Sequence, residues 1–158
     1  IMKNSVEPAN SSSALENRLK RKMEEEMYQR FHPLIRDLQN NKYEWRDEAE
    51  LEFSNTMQIV TQNVPQSVLQ NVPKSSKEYE SCYFYYTVLY SQYCDTIKLL
   101  KKRLPSYEQM YMELTQQCAD HKLSGEEYLK KIEELGPDPR SKWTYNLETK
   151  LWERKGTN

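Results

Sequence analysis

Residues 77–104 read KEYESCYFYYTVLYSQYCDTIKLLKKRL and contain neither glycine nor proline. Large apolar and aromatic side chains recur in this stretch at alternating spacings of four and three residues. The average spacing of 3.5 is the heptad period of helices that pack side by side. The stretch therefore predicts a long helix with one continuous seam. We call it the tyrosine seam, and it consists of Tyr79, Tyr83, Tyr86, Tyr90, Tyr93, Ile97, Leu100 and Leu104.

The N-terminal half of this helix has a wider apolar face than the C-terminal half, because Cys82, Tyr85 and Leu89 flank the seam. A single neighbouring helix covers only a narrow stripe, so we expect at least two helices to pack there. Each buried tyrosine hydroxyl needs a hydrogen-bond partner, which makes the seam selective about what it faces. The pattern leaves open whether those neighbours belong to this chain, as the core of a monomeric bundle, or to a partner.

Four further helices are predicted on either side of the seam. Before it, one helix begins at Ser13, whose hydroxyl can cap the first turn, and a second covers residues 43–62. After it, Ser106 and Ser124 are typical capping residues that open two shorter helices. This succession predicts an all-α fold of about five helices, arranged as an elongated bundle with coiled-coil-like packing.

The first helix changes character along its length. Apolar residues recur every four positions from Leu15 to Phe31, but charged residues surround them in RLKRKMEEE at residues 18–26. This pattern predicts that the first half projects from the bundle or is bound by a partner, and that the second half is packed. Pro33 lacks a backbone donor and predicts a kink or a restart of the helix.

Prolines also mark a boundary in the middle of the chain. The motif QNVP occurs twice, at residues 62–65 and 70–73, and proline disfavours the helical conformation of the residue before it. We therefore divide the chain into a disordered lead-in, an N-terminal helical hairpin, a proline-containing connector, a C-terminal helical bundle and a tryptophan-anchored tail, at residues 1–12, 13–62, 63–75, 76–136 and 137–158.

The tail differs in kind from the helices. Trp143 and Tyr145 alternate with polar residues, a polar turn follows at residues 146–150, and Leu151 and Trp152 resume the apolar pattern. This pattern predicts a short C-terminal β-hairpin or an extended segment, anchored in either case by the two tryptophans.

The composition suggests a core that is thin for a self-sufficient helical domain. Leu, Ile, Val and Phe together make up 30 of the 158 residues, a fraction that is low for a globular protein. A net charge of −1 and 12 tyrosines argue against disorder. We therefore expect a folded chain that is stabilised partly by surfaces buried against other proteins. The predicted partner contacts are the tyrosine seam together with Trp143 and Trp152.

Catalytic and ligand-binding sites find little support in the sequence. Cys118 lies one helical turn before His121, but no third group orients the imidazole and no glycine loop is near to form an oxyanion site. Three glycines in the whole chain exclude glycine-rich phosphate loops, and the ligand types available do not assemble a four-ligand metal site. We therefore expect a protein that is not an enzyme and has no catalytic residues, cofactor, metal or small-molecule substrate.

Basic residues cluster at the end of the third helix, at Lys98, Lys101, Lys102 and Arg103. Cations at a helix C-terminus complement the helix dipole, and this is the simpler interpretation. The alternative interpretation is a contact with nucleic acid or with an acidic partner, shared with the basic tail.

These observations favour a non-catalytic scaffold or adaptor subunit of a multiprotein complex, which binds other protein subunits through helix packing. The alternative is a subunit of a chromatin or RNA-processing complex that contacts nucleic acid through the basic patches. The sequence shows no signal peptide or membrane span, and its three cysteines form no CxxC pair. We expect a nuclear or cytoplasmic protein that is not secreted and does not bind membranes, and the basic clusters favour the nucleus.

Overall fold

The computed structural model describes residues 12–156, and side chains from residue 14 to residue 156. Its elements are α1 (Ser12–Gln39), α2 (Arg46–Leu69), α3 (Lys77–Lys101), α4 (Tyr107–Ala119), α5 (Gly125–Leu135), a 3-10 turn (Pro139–Lys142), β1 (Trp143–Asn146) and β2 (Leu151–Arg154). The two strands are antiparallel. The prediction of an all-α bundle of five helices with a C-terminal hairpin is confirmed. Residues 1–11 of the predicted lead-in lie outside the described residues.

Helices α1, α2 and α3 pack against one another and enclose the main core. This arrangement gives α3 the two helical neighbours that its wide face predicts. Each of the three helices contributes side chains with no solvent exposure, namely Met23, Met27 and Phe31 from α1, Val60 and Val64 from α2, and Cys82 and Ile97 from α3.

The first half of α1 packs against α3, so the prediction that it projects from the bundle or needs a partner is wrong. Leu19 and Met23 are buried. The charged residues that suggested exposure lie beside the helix interface, where they contact α3. The Lys20 ammonium lies 5.4 Å from the centroid of the Tyr85 ring, and the Tyr85 hydroxyl donates a hydrogen bond to Glu24. A charged flank is therefore compatible with a buried stripe on the same helix.

Helix α2 runs through Pro65 and ends at Leu69, beyond its predicted end. A proline in a helix interior costs about 3 kcal/mol, because it removes a hydrogen bond and crowds the preceding turn. Here Pro65 and Leu69 are both buried, and burial of this last part of the helix outweighs the local penalty. The connector accordingly covers residues 70–76 rather than 63–75. Similarly, α1 continues through Pro33 without a restart.

Serine caps begin three of the helices, as the sequence predicts for α4 and α5. The side chains of Ser76, Ser106 and Ser124 each accept a hydrogen bond from the backbone N–H three residues later. Ser124 also forms a capping box with Glu127. The cap predicted at Ser13 lies outside the described side chains. These local signals place α3, α4 and α5 along the chain.

Candidate protein-binding site

Most of the tyrosine seam faces the core of its own chain. Tyr86 and Ile97 are buried, and Phe31 of α1 stacks on Tyr93 with ring centroids 4.8 Å apart. A side chain that is buried here cannot also contact a partner, and Tyr83 is the exposed member of the seam. The half-buried members that pack against the core are Tyr79, Tyr90, Tyr93, Leu100 and Leu104.

The buried seam predicts that stability falls with rising pH. Burial raises the pKa of Tyr86 from 10.0 to about 12, and it also raises the pKa of Tyr90 and Tyr93. Tyrosines of the unfolded chain ionise at lower pH than the buried Tyr86. The contribution of Tyr86 to the free energy of unfolding is therefore complete below pH 10 and is lost as the pH rises toward about 12. The Tyr86→Phe variant has no ionisable group at this position, so its stability should fall less steeply with pH. Urea unfolding midpoints of the original chain and of the variant, at a series of pH values, measure the difference. Identical falls in stability would contradict a raised pKa at Tyr86.

The two tryptophans of the tail hold the hairpin against α2. Trp143 is buried, and its indole N–H donates to the Glu48 carboxylate at 3.2 Å. The backbone of Trp152 exchanges two hydrogen bonds with the Asn55 side chain, at 2.7 and 2.8 Å. Its ring meets Tyr145 edge-on at 5.1 Å. Of the two predicted alternatives, a hairpin and an extended segment, the tail therefore forms the hairpin. Both tryptophans make contacts within the chain.

The basic cluster at the end of α3 does not present its four cations together. The Lys101 ammonium lies 3.7 Å from the Glu50 carboxylate and 4.8 Å from the centroid of the Phe53 ring. Burial lowers the pKa of Lys101. Lys101 thus contributes to the packing of α3 on α2. The exposed cations of the cluster are Lys98, Lys102 and Arg103.

Helices α4 and α5 form a helical hairpin beside the three-helix bundle, which we call the arm (residues 106–136). The Tyr107 hydroxyl donates to the Gly136 carbonyl at 2.7 Å, so the two ends of the arm meet at its base. The loop at residues 120–124 therefore lies at the tip. Helix α4 contacts α2 at the base, whereas α5 packs against α4. Within the described part of the chain, α5 has no buried side chain and α4 has one, Tyr107.

A buried carboxylate joins the arm to α2. Asp47 Oδ1 accepts a hydrogen bond from the Tyr107 backbone N–H at 2.7 Å, and Oδ2 accepts one from Glu108 N–H at 3.4 Å. The first N–H groups of a helix have no partner inside it and carry partial positive charge, so an anion is stabilising there. Trp45 meets the Tyr107 ring edge-on at 5.3 Å. Together these contacts orient α4 relative to α2.

Arg140 supports the same base from the segment that follows α5. Its guanidinium lies 3.1 Å from the Asp138 carboxylate and 3.3 Å from the Glu108 carboxylate. Burial tends to raise the pKa of Asp138, but the hydrogen bonds and charge of Arg140 together outweigh burial, and the pKa falls below its ordinary value. The 3-10 turn is thereby tied to the start of α4.

Asp47→Ala should loosen the base of the arm. The change leaves the buried Tyr107 N–H and the partly buried Glu108 N–H without their acceptor, which costs about 1–3 kcal/mol. Amide hydrogen exchange at Tyr107 and Glu108 should accelerate, while α1, α2 and α3 stay protected. Glu44→Ala removes an exposed acid from the same segment and is the matched control, with no expected effect. Unchanged exchange at the two amides in the Asp47→Ala variant would contradict the capping role.

An open groove runs between the two helices of the arm. Its apolar lining is formed by Met110 and Leu114 of α4 and Leu135 of α5, and its polar lining by Glu113, Gln117, Lys131 and Glu134. The groove encloses about 290 Å³, at the lower limit of the range of about 300–1,000 Å³ for small-molecule sites. An open groove of this size and lining suits the side chains of a protein segment.

The sequence predicts the helices of the arm but neither its base nor its groove. From the sequence, Asp47 is one of several acids on the outer face of α2. No local signal links it to Tyr107, which lies 60 residues later. In the sequence, an apolar stripe follows the helical period along α4, but such a stripe does not reveal which surface covers it. Its members are Tyr107, Met110, Tyr111, Leu114 and Cys118.

Within the described residues 12–156, no three His, Cys, Asp or Glu side chains come together in a way that could hold a metal ion. None of their helices combines the length and the apolar character that crossing a bilayer requires. No family model, curated protein or solved structure matches the chain.

Proposed function

We propose that this chain is a non-catalytic scaffold or adaptor subunit, which binds a partner protein by helix packing in the groove of the arm. The observation that carries the proposal is the exposure of the arm. Helix α5 has 11 residues and no buried side chain, although helices this short are marginal in water unless packing stabilises them. Its apolar residues Tyr128, Ile132 and Leu135 lie four and three positions apart and form a stripe of the kind that normally faces a core. A partner helix would supply the missing cover.

The exposed end of the tyrosine seam offers a second contact area for the same kind of partner. Tyr83 lies beside Phe84, whose side chain is 70% exposed on α3. Exposed aromatic side chains are enriched at the centres of protein interfaces. Lys74 and Glu80 border this area and give it a polar rim. A nuclear or cytoplasmic location, with the nucleus preferred, stays a prediction.

Met110→Glu should strongly weaken binding of the partner. The substitution places a charge in the apolar lining of the groove, where an interface would bury it. The expected loss is about 2 kcal/mol or more, roughly thirtyfold in Kd. Affinity capture with the intact chain, followed by mass spectrometry and by titration of the purified partner, measures the loss.

Met112→Glu is the matched control for this experiment. Met112 lies on the same helix and is more exposed than Met110, 61% against 41%, but it does not line the groove. Its variant should bind as the unchanged chain does. If the two variants bind alike, the groove is not the contact surface. If the chain captures only nucleic acid, with an affinity that falls steeply with salt, the alternative function replaces the proposed one.

A further inference from the structure

The arm is more acidic than the chain as a whole. Residues 106–136 contain seven acidic and three basic side chains, a net charge of −4 with histidine neutral, against −1 for the whole chain. Charge complementarity selects partners and accelerates their association. The arm is therefore suited to a positively charged partner, and it disfavours nucleic acid and anionic membranes.

The charges at the groove are arranged on both of its helices. Glu113 lies on α4 and Glu134 on α5, and both side chains are exposed. In the described part of the chain neither of them forms an ion pair. Lys131 is the one basic residue of the groove lining, and in the described part of the chain it forms no ion pair with either glutamate. The two glutamates therefore remain available to an incoming cation.

The apolar part of the lining determines the shape of the occupant. Met110 and Leu114 are four residues apart and form a ridge along α4, and Leu135 lies opposite on α5. A helix that enters such a groove anchors itself by apolar side chains at positions i, i+3, i+4 and i+7. A third helix packed against two antiparallel ones completes a small bundle.

We propose, building on the proposed function, that the groove binds a basic amphipathic helix of the partner protein. Its apolar stripe contacts Met110, Leu114 and Leu135, and lysine or arginine side chains beside the stripe pair with Glu113 and Glu134. Rim charges of this kind set specificity, while the apolar stripe supplies most of the binding free energy.

The test uses the intact chain and two synthetic amphipathic helices of about 18 residues, or five turns. Both peptides carry the same leucine stripe, flanked by lysines in one and by glutamates in the other. The basic peptide should bind, with amide shifts at Met110, Leu114 and Leu135 in NMR spectra. The acidic peptide should bind at least about tenfold more weakly. Equal binding of the two peptides, or binding of neither, overturns the inference.

Adjacent glutamates on α5 provide the matched variants. Glu134 lines the groove, whereas Glu133, one residue earlier and also exposed, does not. Glu134→Lys should weaken binding of the basic peptide about fivefold, and Glu133→Lys less than about twofold. Equal weakening would mean that net charge alone attracts the peptide, which overturns the inference. Both variants place a cation near a helix C-terminus, where it does not disfavour folding.

The outcomes separate this inference from the proposed function. If Met110→Glu weakens partner binding but the acidic peptide binds as well as the basic one, the groove still docks a helix and the inferred preference for a basic one fails. If Met110→Glu and Met112→Glu leave partner binding equally intact, the proposed function itself fails, whatever the peptides do.

Discussion

Replacing Phe31 by Ala should lower the free energy of unfolding by about 3–5 kcal/mol. Phe31 has no solvent exposure. Its ring stacks on Tyr93 and meets Tyr90 edge-on with centroids 6.0 Å apart. Truncation removes both ring contacts and leaves a cavity between α1 and α3, which close-packed neighbours fill only in part. Urea unfolding monitored by circular dichroism measures the change.

Phe84→Ala is the control, because it deletes the same side chain from an exposed position on α3. Because 70% of the Phe84 side chain is exposed, Phe84→Ala should change the free energy of unfolding by no more than about 0.5 kcal/mol. The two variants together decide whether the neighbours of the seam belong to this chain or to a partner, which the heptad pattern leaves open. If Phe31→Ala is as mild as Phe84→Ala, then α1 does not cover the seam in solution, and the seam is free for a partner chain.

The seam illustrates what a periodic pattern determines and what it does not. Spacings of four and three residues place Tyr86 and Ile97 on one face of one helix, and α3 is indeed continuous from Lys77 to Lys101. The same spacings are compatible with a neighbour from this chain or from another. The shortage of aliphatic residues suggested another chain, yet aromatic rings such as Tyr93 and Phe31 fill the volume that leucines fill elsewhere.

Errors at α1 and α2 have a common physical cause. Charged neighbours of Leu19 and the proline at position 65 are local signals, whereas burial is decided by distant parts of the chain. Leu19 is buried in the core that α3 completes, and Pro65 is buried with the last turn of α2. Tertiary packing therefore overrides both signals. The capping serines were reliable because a cap is completed within three residues.

The candidate site shows the same division between local and distant causes. The sequence predicts α4 and α5 from the capping residues Ser106 and Ser124, because a cap is completed within three residues. The base of the arm cannot be predicted in this way, because the Asp47 carboxylate contacts Tyr107, which lies 60 residues later in the sequence. The groove arises only where Met110 and Leu135 are brought together by the turn at the tip.

Trp143→Ala should release the C-terminal hairpin from α2. Trp143 is buried, and the Arg154 guanidinium lies 5.1 Å from its ring. The carboxylate of Glu48 accepts hydrogen bonds from Trp143 and from Arg154, the latter at 3.4 Å. Removing a buried tryptophan costs about 3–5 kcal/mol. An isolated two-stranded hairpin is marginal in water, so the strands should lose their order once undocked.

Hydrogen exchange measures this release segment by segment. Amides of β1 and β2 should lose protection in the Trp143→Ala variant, while those of α1 and α3 should keep it, because the three-helix core is left intact. Leu147→Ala is the control, since Leu147 lies in the turn of the hairpin and is 83% exposed. The Arg140 contact with Glu108 adjoins the hairpin, so the first turn of α4 should also exchange faster. Protected strands in the Trp143→Ala variant would show that the Asn55 contacts with Trp152 hold the hairpin without the buried indole.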